Sequence, residues 1–197
     1  MLSACQALTP GRPRITRTTT RFAALADCDL VIEAVAEDQT LKQKVCAELD
    51  AVCRADTVLA STTSSLSVTR CGEVTRHPEN VVGLHFFNPV RAMRLVEVVH
   101  TETTSADTLA TVQVFCEGLG KSPLRCGDRT GFIVNRLLFP YLNAAVRLVE
   151  SGEVEPREPD TAIVRGYGFP MEPSPLLEEL AEAGQLGRKT GVGFYRY

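Results

Sequence analysis

Strand and helix signals alternate from residue 30 to residue 120, and from residue 132 onward the apolar spacing becomes purely helical. Together these observations predict an α/β chain: a mainly parallel sheet followed by a small all-helical C-terminal domain. The period changes at the glycine-bounded stretch 127–131, which places residues 1–128 in the sheet domain and 129–197 in the helical one. A chain of 197 residues can bury a sizeable core, and its 44% hydrophobic and 23% charged fractions are those of an ordinary globular protein.

Leu30 to Val35 reads as a continuous apolar strand, interrupted by Glu33. Leu41, Val45, Leu49 and Val52 recur at near-helical spacing through 39–53, so a helix follows that strand. Thr57 to Ala60 starts another strand, and Val81 to Phe87 and Leu95 to Val99 are two more. Leu109, Val112, Phe115 and Leu119 mark a helix that Ser105 is suited to cap and that residues 118–120, with two glycines, are suited to end. From Phe132 to Glu150, Ile133, Leu137, Tyr141, Leu142, Val146 and Val149 lie on one broad helical face.

Several function classes are disfavoured. The net charge of -3 offers no basic field for nucleic acid. The seven cysteines (Cys5, Cys28, Cys46, Cys53, Cys71, Cys116 and Cys126) are odd in number and scattered, with no C-x-x-C pair, so neither disulfides nor a metal site is expected. No apolar stretch approaches the roughly 18 residues of a membrane span.

The most informative segment is Gly83-Leu84-His85-Phe86-Phe87-Asn88-Pro89-Val90, followed by Glu97 in Leu95-Val96-Glu97-Val98-Val99. Each polar residue sits in an apolar, β-branched or aromatic run, so each is held against a core and aimed by it. A carboxylate bonded to one imidazole nitrogen orients the ring and stabilises the cation formed when the other nitrogen takes a proton, which is what a general base requires. The competing account is a satisfied core histidine beside the end of a strand.

Further strings share that pattern's order: Asp29-Leu30-Val31-Ile32-Glu33-Ala34-Val35-Ala36-Glu37-Asp38, Ser61-Thr62-Thr63-Ser64-Ser65-Leu66, Gly131-Phe132-Ile133-Val134-Asn135-Arg136 and Gly187-Arg188-Lys189-Thr190-Gly191-Val192-Gly193-Phe194-Tyr195. With His85-Phe86-Phe87-Asn88-Pro89 they resemble the 3-hydroxyacyl-CoA dehydrogenases, from about Asp27 to Tyr197. The resemblance implies a partial Rossmann-type domain and NAD-dependent, reversible oxidation of a 3-hydroxyacyl-CoA to the 3-ketoacyl-CoA, as in fatty acid β-oxidation. The short-chain 3-hydroxybutyryl-CoA type fits best, since no hydratase region accompanies it.

By the same resemblance His85 removes the hydroxyl proton and Glu97 supports it. Ser64 bonds the substrate oxygen near the cofactor, and Asn135 lies beside the reacting carbonyl. Glu37, Lys42, Ser64, Asn88 and Lys189 match positions that contact NAD. Taken singly, Glu37 and Lys42 could be a first-turn acid and a solvated helix face, Ser64 a helix cap and Asn135 a polar helix position. The family's Ser-Asn-Thr-Ser-Ser is Ser61-Thr62-Thr63-Ser64-Ser65 here, and Thr62 lacks the amide that offers donor and acceptor together.

A dinucleotide-binding half opens with a G-x-G-x-x-G turn whose backbone N–H groups hold the pyrophosphate. None of the 14 glycines completes that pattern. Compared with the family, the chain is expected to lack the first βαβ unit and, after Pro170-Met171, several further helices. The strand 30–35 would then lie at a sheet edge, a template for pairing. Residues 1–26, rich in arginine and without an acid, superficially match a mitochondrial transit peptide. The stronger reading is that Ile15 to Asp29 resembles part of the family's domain, in a cytoplasmic protein. Three functions compete: an active dehydrogenase on acyl-CoA substrates, impaired by truncation; a silent remnant that binds a full-length homologue as a structural or regulatory partner; and another Rossmann β-hydroxyacid dehydrogenase, which the His85 string argues against. A homodimer or association with a homologue is expected.

Overall fold

A computed structural model describes residues 2–5, 15–167 and 183. The chain divides into two compact units, Met1–Arg136 and Leu137–Tyr197. In the first, β1 (Leu2–Cys5) and β2 (Ile15–Thr19) form an antiparallel pair. A five-stranded sheet holds β3 (Leu30–Glu33), β4 (Val58–Ser61), β5 (Val81–Phe86), β6 (Leu95–His100) and β7 (Ser122–Gly127), in that order. The β3–β4, β4–β5 and β6–β7 pairs are parallel and only β5–β6 is antiparallel. The expected mainly parallel α/β architecture is therefore present, with β3 at one edge.

Helix α1 (Gln39–Val52) follows β3, with the Asp38 side chain accepting from the Leu41 amide at its start. The short α2 (Val68–Gly72) follows β4, and α3 (Ala106–Gly118) follows β6 with Ser105 as the predicted cap, accepting from the Thr108 amide. Gly120 ends that turn at φ +72°, in the left-handed region that glycine enters at no steric cost.

Strand alternation divides the buried side chains between the two faces of the sheet. Val31, Leu59, Val81 and Val99 pack with Val45, Cys46 and Leu49 of α1 and Val68 and Cys71 of α2. On the other face Val58, Ala60, Val82, Leu84, Val96 and Val98 pack with Val112 and Cys116 of α3. Residues such as Val82, Leu84 and Val96 are fully buried and each contributes on the order of 1.5–3 kcal/mol. Gly83 is where β5 meets both β6 and α2: a Cβ there would come within 2.8 Å of Val99 and 2.9 Å of Val68.

Strand β7 was not expected from the sequence. Ser122-Pro123-Leu124-Arg125-Cys126-Gly127 lacks apolar alternation and contains a proline, which suits only an edge, and an edge is where it lies. The helical stretch expected from Phe132 begins at Val134, as α4 (Val134–Glu150), with Pro140 inside it. A further helix, α5 (Glu158–Tyr167), carried no clear signal. Lys189, the whole 187–195 string and, residue 183 apart, the segment after Pro170-Met171 lie outside the described residues.

Candidate active site

Sheet register brings the site together. Glu33 pairs with Ser61, Ser61 with Gly83, and His85 with Glu97, so four polar side chains line one face near the carboxyl ends of β3, β4 and β5. That face is the one covered by α1 and α2.

His85 is 5% exposed and Glu97 is completely buried. Their contact, Nδ1 to Oε2, is 2.6 Å. Because a carboxylate accepts and does not donate, Nδ1 carries the hydrogen and Nε2 is left with the lone pair. The other oxygen, Oε1, accepts the backbone N–H of Ile133 and of Val134, both at 2.9 Å. Those two amides are delivered by a turn in which Gly131 (φ +79°) and Phe132 (φ 49°) are successively left-handed. A phenylalanine in that region is strained, and here the strain aims two donors at one buried carboxylate. The imidazole is near two rings, with centroids 4.6 Å from Phe87 and 5.5 Å from Phe132, both tilted to it.

Glu37 is exposed, just beyond β3. Its Oε1 accepts from the Thr63 hydroxyl at 2.6 Å, the Ser64 amide at 2.9 Å and the Ser65 hydroxyl at 3.4 Å. Burial raises its pKa, but these bonds and the Lys42 charge outweigh it and hold the carboxyl below the usual carboxylate range. Lys42 is not on a solvated face. It is 1% exposed, with Nζ at 3.0 and 3.1 Å from the two Glu33 oxygens, 3.4 Å from the Val35 carbonyl and 3.6 Å from Glu37. Ser61 donates to the same Glu33 carboxylate. Ser64 is exposed on the loop after β4, and its carbonyl accepts from the Asn135 amide at 3.4 Å. Asn88 is exposed at the end of β5. Ser67, not Ser64, caps α2.

Sequence reasoning did not assign Glu33, Ser61, Thr63 or Asp128. Glu33 alone had a usable signal, a charge inside an apolar strand that could persist only if paired. Asp128 accepts from Ser67, Val68 and Thr69, a partnership that no spacing announces. Cysteine chemistry is disfavoured near the pair: burial, with Glu97 and Asp128 close by, pushes the Cys126 thiol up to about 11.

Residues 9–129 match the model of the 3-hydroxyacyl-CoA dehydrogenase NAD binding domain, and residues 131–174 match that of the 3-hydroxyacyl-CoA dehydrogenase C-terminal domain. The chain belongs to the 3-hydroxyacyl-CoA dehydrogenase family. It is 42% identical to a 3-hydroxybutyryl-CoA dehydrogenase of Mycobacterium tuberculosis over 91% of this chain and 74% of the relative. It is 38% identical to the mitochondrial hydroxyacyl-coenzyme A dehydrogenase of Mus musculus, over 93% of this chain and 68% of the relative. Among solved structures, the (S)-3-hydroxybutyryl-CoA dehydrogenase PaaH1 from Ralstonia eutropha aligns with a TM-score of 0.77 at 33% identity, covering 91% of this chain and 74% of that one. The M. tuberculosis alignment spans 211 positions but uses only 91% of 197 residues here, so part of the relative inside that stretch has no counterpart.

Membership makes the chain an oxidoreductase by family, with NAD as cofactor and the acyl-CoA thioesters of the family as substrates. No helix among the described residues is long and apolar enough to cross a membrane.

The fit to NAD is uneven. Glu37, Ser64 and Asn88 lie at the carboxyl ends of successive strands, where an open α/β sheet binds ligands. The helix N-termini that follow β3, β4 and β6 are already taken by Asp38, by Ser67 with Asp128, and by Ser105. Among the described residues no glycine turn offers a helix start to a pyrophosphate.

Proposed function

We propose that the chain carries the proton-transfer centre for oxidising a 3-hydroxyacyl-CoA, the short 3-hydroxybutyryl thioester in particular, to the 3-ketoacyl-CoA. The single observation that carries this reading is His85 held by Glu97 at 2.6 Å, with the far side of Glu97 held by two backbone amides. NAD, when bound, supplies the hydride acceptor. His85 Nε2 takes the hydroxyl proton, and Glu97 stabilises the resulting imidazolium without moving, because its second oxygen is already fixed. Ser64, on the loop after β4, and Asn135, in the first turn of α4, orient the substrate oxygen. Glu37, Asn88 and Lys189 contribute to the cofactor side. Lys42 acts there through Glu37, since its ammonium is buried against Glu33.

β-Oxidation in the cytoplasm, and a dimer, are the setting that goes with this chemistry. Leu137, Phe139 and Val146 of α4 are more than half exposed, which supports association with a second copy or a homologue.

The test is NADH formation from 3-hydroxybutyryl-CoA by the purified chain, with calorimetry for NAD. Slow turnover and weak NAD binding are expected, because the occupied helix starts leave the pyrophosphate without its usual donors. Affinity in the low micromolar range would overturn that expectation. A folded chain that forms no NADH at any concentration, yet co-purifies with a full-length relative, would favour the second reading, a silent partner subunit.

A further inference from the structure

Two segments far apart in sequence, one of which holds Glu97, are tied together. The first, 63–69, carries Thr63 and Ser64 and starts α2. The second, 127–135, leaves β7, turns through Gly131 and Phe132, and supplies both the amides that hold Glu97 and the Asn135 side chain. Two contacts join these segments directly. One is the Asn135 amide on the Ser64 carbonyl, a single bond at 3.4 Å. The other is Asp128.

One Asp128 oxygen accepts from the Val68 amide at 3.2 Å. The other accepts from the Ser67 hydroxyl at 2.9 Å, the Thr69 amide at 2.8 Å and the Thr69 hydroxyl at 2.7 Å. Its own amide donates to the His100 carbonyl at the end of β6, at 3.1 Å. The carboxylate thus satisfies amides at the start of α2 that would otherwise have no helical partner, and it does so from across the fold. Only four residues separate it from Ile133, across a turn already held by Phe132 N–H to the Arg129 carbonyl at 2.7 Å and Arg136 N–H to the Gly131 carbonyl at 2.9 Å. A displacement of Asp128 is therefore passed to the Glu97 cradle rather than absorbed on the way.

We infer that Asp128 is a positioning residue for the His85–Glu97 pair: by clamping the 127–132 turn to the start of α2, it fixes where the Ile133 and Val134 amides meet Glu97. Burial raises the Asp128 pKa, but the Thr69, Val68 and Ser67 donors outweigh it and hold the carboxyl below its ordinary range, in keeping with a clamp that works as a carboxylate. The inference rests on reading His85 and Glu97 as the proton-transfer pair. The measurement below reads only their geometry, so it can fail while that reading stands.

Backbone amide exchange and the downfield imidazole proton of His85, assigned by its loss in His85→Gln, are followed by NMR on the full chain. Asp128→Asn places an amide donor against donors, Thr69→Val removes one hydroxyl, and Val112→Ala in α3 serves as a core change remote from the pair. In Asp128→Asn, exchange at Ile133 and Val134 should quicken by about tenfold or more beyond what the loss of global stability explains, the equivalent of one well-made hydrogen bond. The His85 proton should move upfield. Thr69→Val should act in the same direction and less, whereas Val112→Ala should leave both signals in proportion to stability. Exchange at Ile133 and Val134 that tracks global stability in all three variants overturns the inference. If Asp128→Asn does not fold, Thr69→Val against Val112→Ala decides.

Discussion

Two buried carboxylates on the same face of one sheet have been neutralised in different ways. Glu97, on β6, faces an imidazole and two backbone amides; Glu33, on edge strand β3, faces a lysine ammonium and a serine hydroxyl. Each is stable in a dry place because its charge is met, since an unmet one would cost several kcal/mol. The difference lies in the partner. Lys42 spends its donors on Glu33, the Val35 carbonyl and Glu37, so the Glu33–Lys42 pair is a strut that anchors α1 to β3 and holds Glu37. The imidazole has a second ring nitrogen left over once Nδ1 meets Glu97, and on the proposed function the same kind of carboxylate supports a base.

The comparison is tested most severely at His85. His85→Gln should lower kcat for 3-hydroxybutyryl-CoA oxidation by about 10²–10⁴-fold, the usual share of a positioned acid–base group, while the urea midpoint stays near that of the parent. Glu97→Gln should act in the same direction. Full rate in either variant would mean that the proton leaves by another route.

At the other carboxylate the effect should appear in stability instead. Lys42→Met strands Glu33 in the core and should cost about 3–5 kcal/mol in chemical unfolding, and adding Glu33→Leu should recover most of that loss. A neutral Lys42→Met would remove the contrast between the two sites.

Acid provides a smaller effect with a definite sign. Asp128 and Glu37 have folded pKa values below their ordinary ones, so the stability they add is complete above the unfolded carboxylate range, near pH 4, and is lost as pH falls through their lower folded values. Asp128→Asn should therefore flatten the decline in thermal midpoint below about pH 4, and a parallel decline in parent and variant would contradict it. Least of all should Arg54→Ala matter. Arg54 joins Asp29 and Asp56 at the surface, and its loss should leave the urea midpoint within experimental scatter at moderate salt.

Legibility followed periodicity. The strand at 30–35, the helix through 39–53, the Ser105 cap and the His85/Glu97 pair could all be read in advance because each is a local pattern: a β-branched run, a helical repeat, a hydroxyl before a helix, two polar residues in strands. Strand β7 could not, because its pairing with β6 fills an edge and owes little to its own side chains. Lys42 was legible as a charge on a helix and not as a buried one, since only the approach of Glu33 makes that burial tolerable.

The sequence by itself determined the fold class and the family, and it singled out His85 with Glu97 as the candidate pair, because these rest on residue types at short separations that any folded form must honour. The tertiary structure alone decided which groups meet the buried charges: the amides of Ile133 and Val134 on Glu97, Thr69 on Asp128, and Lys42 turned inward to Glu33. The physical reason is that a backbone amide has no residue-specific signature, and a buried charge has no meaning until its partner arrives from another part of the chain.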